Sequence, residues 1–292
     1  MAAVEVTDMF ARGQERRLTV GAILVEAGKL SPSDADEIQK YATKKGMRFG
    51  DAALHMNRLC ADDIQLALTK QYKYMVLPRG HPSGVSEAVV AAYNPSSEVV
   101  EQLRTVRSRL AVGWLKSAER NVLAVTSPGR GEGRSWFAAN LATVFAQAGV
   151  RTLLIDADMR HPQQHRLFNL SSDVGLSWLL TGRAGKEIVQ RVHPDLRLFV
   201  VPAGVLPPNP QELLIRDVFG VVLRCFADQY DLVVLDTPAA ADTADAEILA
   251  ARAGAAIMLT RRNHTSHRRL LASMECLTRS GVQVIGSVLN EY

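Results

Sequence analysis

From about residue 99 onward, two apolar rhythms alternate along the chain. Short, nearly continuous apolar runs occupy 121–127, 151–156, 196–202, 232–236, 255–260 and 282–289. Runs of this length without polar interruption read as strands covered on both faces. Between them, apolar positions recur at helical spacing. Residues 135–148 read as a helix closed by Gly149, which suits a left-handed C-cap. Pro210 opens another helix, in the first turn where its missing N–H costs nothing. The alternation predicts an α/β fold on a mostly parallel sheet, with binding sites at the carboxyl ends of the strands. Residues 1–75 carry only short amphipathic helical stretches. Pro78, Gly80, Pro82, Gly84 and Pro95 punctuate the segment 76–98, which reads as a linker. The predicted organisation is a small helical domain over 1–75, a linker over 76–98 and an α/β domain over 99–292.

The first domain holds a weak internal repeat with an offset of 29 residues. Val20-Gly21 recurs as Phe49-Gly50, Lys29 as Arg58, Leu30 as Leu59 and Asp34 as Asp63. Each copy reads as a short apolar helix, a turn, an N-cap and a second helix. Ser31 or Ser33 would cap the first copy, and Asp62 or Asp63 the second. Two such copies are expected to share one core.

Composition changes this picture little. The 292 residues include 47% hydrophobic and 22% charged side chains, an ordinary globular balance that excludes disorder, collagen and coiled coil. The formal charge of +4 is spread out: residues 1–75 hold 11 Lys and Arg against 10 Asp and Glu. No clustered basic face of the nucleic-acid kind follows from it. No apolar run approaches about 18 residues, so no membrane-spanning helix is expected. Glu5 and Asp8 argue against a secretory signal, and a cytoplasmic protein is expected. Cys60, Cys225 and Cys276 have no metal spacing and are expected to be reduced, buried thiols.

The chemistry concentrates in Thr126-Ser-Pro-Gly-Arg-Gly-Glu-Gly-Arg-Ser135, between a predicted strand and a predicted helix. Gly129, Gly131 and Gly133 allow a tight turn with N–H groups directed inward, and the following helix adds its positive end. Such a loop cradles phosphates, with Ser135 placed to ligate Mg²⁺. Against the pattern G-x-x-x-x-G-K-[ST], Pro128 stands at the first glycine and Arg134 at the lysine. A guanidinium is wider and planar where an ammonium is a compact point charge. The exchange is compatible with phosphate binding and predicts slower phosphoryl transfer. Taken alone, the segment also fits a glycine-rich turn with no ligand. Two further runs narrow the choice. Leu153-Leu-Ile-Asp-Ala-Asp158 and Leu232-Val-Val-Leu-Asp-Thr-Pro238 end in Asp156, Asp158 and Asp236. A lone carboxylate at a strand end is usually a turn residue or a cap, whereas three beside one glycine loop suit a metal–nucleotide site.

In combination these motifs resemble the bacterial tyrosine kinases, a P-loop family with a MinD/ParA-like fold. The resemblance covers about residues 95–292. It includes the phosphate loop 131–135, the D-x-D of Asp156 and Asp158 followed by Arg160, and the D-x-P of Asp236 and Pro238. It extends to Glu101-x-x-Arg104-x-x-Arg107, to Gly204 with Pro207-Pro-Asn-Pro-Gln-Glu-Leu-Leu214, and to Gly286-Ser-Val-Leu-Asn290. The chain is similar above all to the exopolysaccharide chain-length-determinant tyrosine kinases of exosortase-linked clusters, whose loop also reads G-R-G-E-G-R-S. The resemblance implies ATP and Mg²⁺ as cofactors and nucleotide contacts from Gly129, Arg130, Gly131, Glu132, Gly133, Arg134, Ser135, Trp136 and Asn290. Trp136 also fits a core position. Ser135, Asp156 and Asp236 would organise the metal. Arg134, Asp156, Asp158 and Asp236 would be catalytic, with Asp158 activating a tyrosine hydroxyl or water. Glu101, Arg104 and Arg107 would mediate homo-oligomer assembly; read without the resemblance they form a solvated charged face. The implied partner is a membrane polysaccharide co-polymerase or chain-length determinant, which would hold the protein peripherally at the inner membrane. The family's C-terminal tyrosine cluster is reduced here to Tyr292. A nucleotide-gated assembly module with little phosphoryl transfer is the alternative, and a DNA-binding partition ATPase is disfavoured by the even charge.

Residues 19–71 resemble the N-terminal domain of type II secretion and pilus ATPases, some of which bind cyclic di-GMP. The second copy keeps Arg48-Phe49-Gly50 and Gln71, while the first has Thr19-Val20-Gly21 and lacks the arginine. Cyclic di-GMP is therefore disfavoured, and a helical protein-docking module is expected. The basic run Arg261-Arg-Asn-His-Thr-Ser-His-Arg-Arg269 reads as a solvated loop, or as a contact for an anionic membrane or an acidic tail.

Overall fold

The computed structural model describes residues 19–60, 63, 64, 67, 76, 77, 84–116 and 121–291. The chain divides into two compact units, 1–78 and 79–292.

The first unit contains α1 (Val20–Glu26), α2 (Pro32–Lys45) and α3 (Phe49–His55). Thr19 caps α1 and Ser31 caps α2, its hydroxyl accepting from the Asp34 N–H at 3.1 Å. In the second copy the Asp63 carboxylate accepts from the Cys60 N–H at 3.2 Å, while Asp62 lies outside the described residues. The repeat is real in three dimensions. α1 and α3 start at equivalent positions, and Gly28 and Asn57 both adopt positive φ, 68° and 52°. Lys29 pairs with Asp63 at 3.1 Å, and its counterpart Arg58 pairs with Asp34 at 3.0 Å. Each copy thus lends its cation to the other's carboxylate, the signature of a local two-fold. Ile23, Leu24, Ile38, Ala52 and Ala53 form the shared core.

The second unit opens with α4 (Val90–Tyr93) and α5 (Glu98–Leu110), which runs on as a π-helical turn over Ala111–Leu115. Then follow β1 (Val122–Thr126), α6 (Arg134–Gln147), β2 (Thr152–Asp156), α7 (Gln164–Leu167) and α8 (Leu176–Leu180). A 3₁₀ turn over Lys186–Ile188 leads into β3 (Gln190–Arg191) and β4 (Leu198–Val201). The unit closes with α9 (Pro210–Ile215), α10 (Asp217–Ala227), β5 (Leu232–Asp236), α11 (Asp245–Ala253), β6 (Ala255–Arg261), α12 (His267–Arg279) and β7 (Gln283–Asn290). The sheet order is β3-β4-β2-β5-β1-β6-β7. All pairings are parallel except β3 with β4. Every residue of β1, β2 and β5 is buried, as their unbroken apolar runs require. β3 is two residues long and carries no apolar run, so no sequence signal announces it.

Helix α6 is buried from Phe137 through Gln147 because it is covered on both sides. The sheet covers one side, and residues 84–98, the second half of the segment read as a linker, cover the other together with α5. There the Asn140 side chain accepts from the Ala91 N–H at 3.0 Å and donates to the Ala88 carbonyl at 3.1 Å. Gln147 donates to the Ala91 carbonyl at 2.7 Å. The proline and glycine content of that stretch reflects an irregular path, not a loose one. The cysteines also depart from expectation: Cys60 and Cys225 are exposed and Cys276 is half-buried. They sit on outer helix faces or turns, where the small thiol is tolerated without being needed for packing.

Gly204 marks a close approach of two backbones. Its φ is +79°, and Gly175 packs directly against it. A Cβ at Gly175 would lie 2.3 Å from the Pro202 carbonyl oxygen and 2.5 Å from the Gly204 nitrogen. Gly175→Ala is expected to lower stability by about 1–3 kcal/mol, as overpacking does. Gly113→Ala, where a Cβ meets nothing within 4 Å, should be neutral or slightly stabilising. Urea unfolding midpoints of the two variants check the contrast.

Candidate active site at the carboxyl edge of the sheet

The loop 127–133 leaves β1, next to the central strand β5, and enters α6 through Gly133, whose φ of 93° only glycine adopts without strain. Gly131 is also left-handed, at 72°. Alternation of this kind makes successive N–H groups converge. The three aspartates converge on the same edge. Asp156 ends β2 and Asp236 ends β5, and the two are direct register partners. Neighbouring strands lie only about 4.8 Å apart, and both carboxylates are fully buried. Asp158, two residues on, is 5% exposed.

The carboxylates are held with spare capacity. Asp156 accepts through Oδ2 from the N–H groups of Gln163 and Gln164 at 2.9 and 2.8 Å. Asp236 accepts through Oδ2 from the Gln164 side chain at 2.7 Å, and the nearby Ser135 hydroxyl favours its charged form. The Oδ1 atoms of both are buried without a hydrogen-bond partner. Burial, with the Asp236 charge adding to it, pushes Asp156 well above the ordinary carboxylate range. Burial likewise pushes Asp236 up to about 6, against hydrogen bonds from Gln164 and Ser135 and the Arg134 charge. Two buried carboxylates with free oxygens beside a serine hydroxyl suit a hard divalent cation that keeps most of its ligands from water and phosphate. Among the described residues no three His, Cys, Asp or Glu side chains group around one metal position.

Arg134 does not project freely from the loop. Its Nε donates to the Thr237 carbonyl at 2.9 Å, and Nη1 donates to the Gly129 carbonyl at 2.7 Å and to the Ser127 hydroxyl. The guanidinium is a strut between the phosphate loop and the end of β5, and Nη2 makes no hydrogen bond among the described residues. Arg130 points away, pairing with Asp242 at 2.5 Å. Asp158 accepts from the His161 N–H at 3.0 Å, and Arg160 pairs with buried Asp245 at 2.9 Å, tying the D-x-D turn to α11. Glu132 is buried, its carboxylate turned back onto the Gly129 N–H at 2.8 Å. Asn290 donates to the Glu132 carbonyl at 3.2 Å. Trp136 is half-buried and lines a cleft of about 850 Å³ with Leu103, Phe137, Leu259 and Leu289, with Asn290 at its edge.

Glu101, Arg104 and Arg107 are not brought to this edge. They lie on α5, where Glu101 pairs with Arg104 and Arg107 donates to the Val144 carbonyl at 3.1 Å. Sequence reasoning missed Gln164, whose amide links Asp236 to the Ser135 carbonyl at 3.0 Å. A glutamine eight residues beyond a strand carries no motif. The basic run 261–269 is largely exposed, as a solvated loop should be, yet two of its residues also reach the phosphate loop. Arg261 donates to the Gly131 carbonyl at 3.1 Å, and His264 bonds the Arg130 carbonyl at 3.0 Å. The loop is in part a wall of the site because β6 ends beside β1 in the sheet.

The chain is similar in sequence and fold to known proteins. Tyrosine-protein kinase YwqD of Bacillus subtilis (strain 168) is 33% identical over 216 residues, 74% of this chain and 91% of its own. Tyrosine-protein kinase etk of Escherichia coli (strain K12) is 33% identical over 201 residues, 69% of this chain, and this chain spans only 28% of that protein's length. Among solved structures, the kinase domain of Escherichia coli tyrosine kinase ETK matches with a TM-score of 0.68 and 31% identity, over 75% of this chain and 85% of that one. The cell division ATPase MinD of Pyrococcus furiosus shares the fold at 21% identity and a TM-score of 0.52, over 59% of this chain and 72% of that one. No protein-family model matches the chain.

The two facing carboxylates repel each other in the absence of a cation. Asp236→Asn is expected to raise the melting temperature of metal-free protein by about 2–4 °C, near 1 kcal/mol for a chain of this size. Thermal unfolding in EDTA measures it, and a fall instead would mean that the pair is held by donors the asparagine loses.

Proposed function

Because this chain belongs to the bacterial tyrosine-kinase family, we propose that it binds Mg²⁺-ATP at the carboxyl edge of its sheet and transfers the γ-phosphoryl group to a tyrosine hydroxyl. The single observation that carries this reading is the in-register pair Asp156 and Asp236, each with an unpartnered Oδ1, beside Ser135 and the glycine loop. The loop amides and the α6 N-terminus hold the phosphate oxygens. The base lies in the apolar cleft beside Trp136 and Asn290. Ser135, Asp156 and Asp236 hold Mg²⁺, which when bound neutralises phosphate charge and polarises the transferred group. Asp158 accepts the proton of the attacking hydroxyl as the tyrosine O–P bond forms and the bond to ADP breaks. Arg134 keeps the loop and β5 together through Nε and Nη1 and offers Nη2 to the phosphates.

The role we assign is control of exopolysaccharide polymerisation, chain length or export, through a membrane co-polymerase that the protein meets from the cytoplasmic side. Among the described residues no helix is long and apolar enough to cross a membrane. The helical unit before residue 78 serves as a protein-docking module, and Glu101, Arg104 and Arg107 contribute to self-assembly.

A second reading rests on Arg134. Its guanidinium is already bonded to two backbone carbonyls. A loop arginine so engaged favours nucleotide-gated assembly over rapid turnover.

Intact-mass analysis after incubation with Mg²⁺-ATP separates the two readings. Added phosphate mapped to tyrosine is expected, and Asp158→Asn should abolish it while changing Mg²⁺-ADP affinity by less than about threefold. Wild-type protein that binds ATP yet stays unmodified supports the second reading. Arg134→Lys should raise phosphoryl transfer, because an ammonium cannot span both carbonyls and is free to follow the phosphate.

A further inference from the structure

The phosphate loop is held from outside at three successive peptides. The Arg130 carbonyl is bonded by His264 at 3.0 Å, the Gly131 carbonyl by Arg261 at 3.1 Å and the Glu132 carbonyl by Asn290 at 3.2 Å. A trans peptide holds its C=O and the next N–H antiparallel. Fixing these three carbonyls on one side therefore turns the N–H groups of Gly131, Glu132 and Gly133 to the other. Gly131 and Gly133, both at positive φ, make that turn without strain.

Behind the loop runs a closed chain of hydrogen bonds. The Arg261 N–H donates to the Thr265 hydroxyl at 2.8 Å, the Thr265 hydroxyl donates to Glu132 Oε1, and Glu132 Oε2 accepts from the Gly129 N–H at 2.8 Å. The Thr265 N–H returns to the Arg261 carbonyl at 2.9 Å, so the turn 261–265 is itself closed. Glu132 is 2% exposed. A buried carboxylate inside an anion-binding loop would oppose phosphate if it faced the ligand. Here both its oxygens are engaged by protein donors, one of them an N–H of the loop itself.

We propose that the turn 261–265 is a positioning element for the phosphate loop, with the Thr265–Glu132 hydrogen bond at its centre, which presets the loop amides for a phosphate group before the nucleotide arrives. The proposal rests on the nucleotide reading above and adds to it two side chains that touch no nucleotide. Thr265 and Glu132 act through the backbone they hold. The turn also starts α12, so any contact that displaces the start of α12 displaces the phosphate loop.

The test uses the full chain and two readouts. Hydrogen–deuterium exchange of the loop amides is followed in ligand-free protein, and Mg²⁺-ADP binding is followed by calorimetry. Thr265→Val keeps the shape of the side chain and removes the donor. It should speed exchange of the loop amides about tenfold and raise the Kd for Mg²⁺-ADP about tenfold, the scale of one lost hydrogen bond to a charged group. KM for ATP should rise by a similar factor with kcat within about twofold, because positioning acts on binding. Thr265→Ser should restore all three. Unchanged exchange and affinity in Thr265→Val overturns the proposal, as does failure of Thr265→Ser to restore them, which would assign the effect to the lost methyl packing. Wild-type protein that takes up no Mg²⁺-ADP, while Thr265→Val still exchanges faster, would overturn the nucleotide reading itself and leave the turn a structural brace.

Discussion

Two buried carboxylates face each other across adjacent parallel strands, and the site is organised around that pairing. β2 and β5 end in register, so Asp156 and Asp236 reach the sheet edge side by side. Burial raises both toward neutrality, and the donors of Gln164 and Ser135 satisfy only part of their capacity. Such an arrangement is costly unless a cation completes it. The surrounding structure keeps it dry and rigid. β1, β2 and β5 are covered on both faces, and α6 is enclosed between the sheet and residues 84–98. The irregular stretch ahead of α5 thus contributes to the site by burying the helix that presents Ser135.

Arg134 shows how a substitution in a motif is decided by its surroundings. At the lysine position of a phosphate loop, a guanidinium has both more donors and a fixed planar shape. The fold uses the extra donors to join the Gly129 carbonyl and the Ser127 hydroxyl to the Thr237 carbonyl. An ammonium cannot make the same span. The arginine therefore contributes to the architecture of the loop as well as to its charge, and the two contributions are separable by exchange to lysine.

Much of this was legible in one dimension. The strand runs 151–156 and 232–236 gave β2 and β5 to within a residue, because strands buried on both faces need an unbroken apolar composition. The loop 126–135 was legible because phosphate cradles need glycines at fixed intervals, and Gly131 and Gly133 take the positive φ that only glycine adopts freely. The 29-residue repeat was visible as matched residue types, and its exchanged ion pairs follow from that matching. Other features had no linear signal. Gln164 reaches Asp236 across 72 residues of sequence, and Thr265 reaches Glu132 across 133. The exposure of Cys60 and Cys225 depends on which helix face meets the core, which composition does not reveal.

The division has a physical basis. Local backbone chemistry and the burial of each strand are written residue by residue, so the sequence alone determined the α/β class, the glycine loop and the aspartates at and just beyond the ends of β2 and β5. Which chain segments meet at the sheet edge depends on strand order. β6 lies next to β1, and that neighbourhood brings Arg261, His264 and Thr265 onto the phosphate loop. Tertiary structure alone decided that a largely solvated basic run also lends Arg261, His264 and Thr265 to the phosphate loop, because hydrogen bonds between distant segments exist only once the sheet has set their separation.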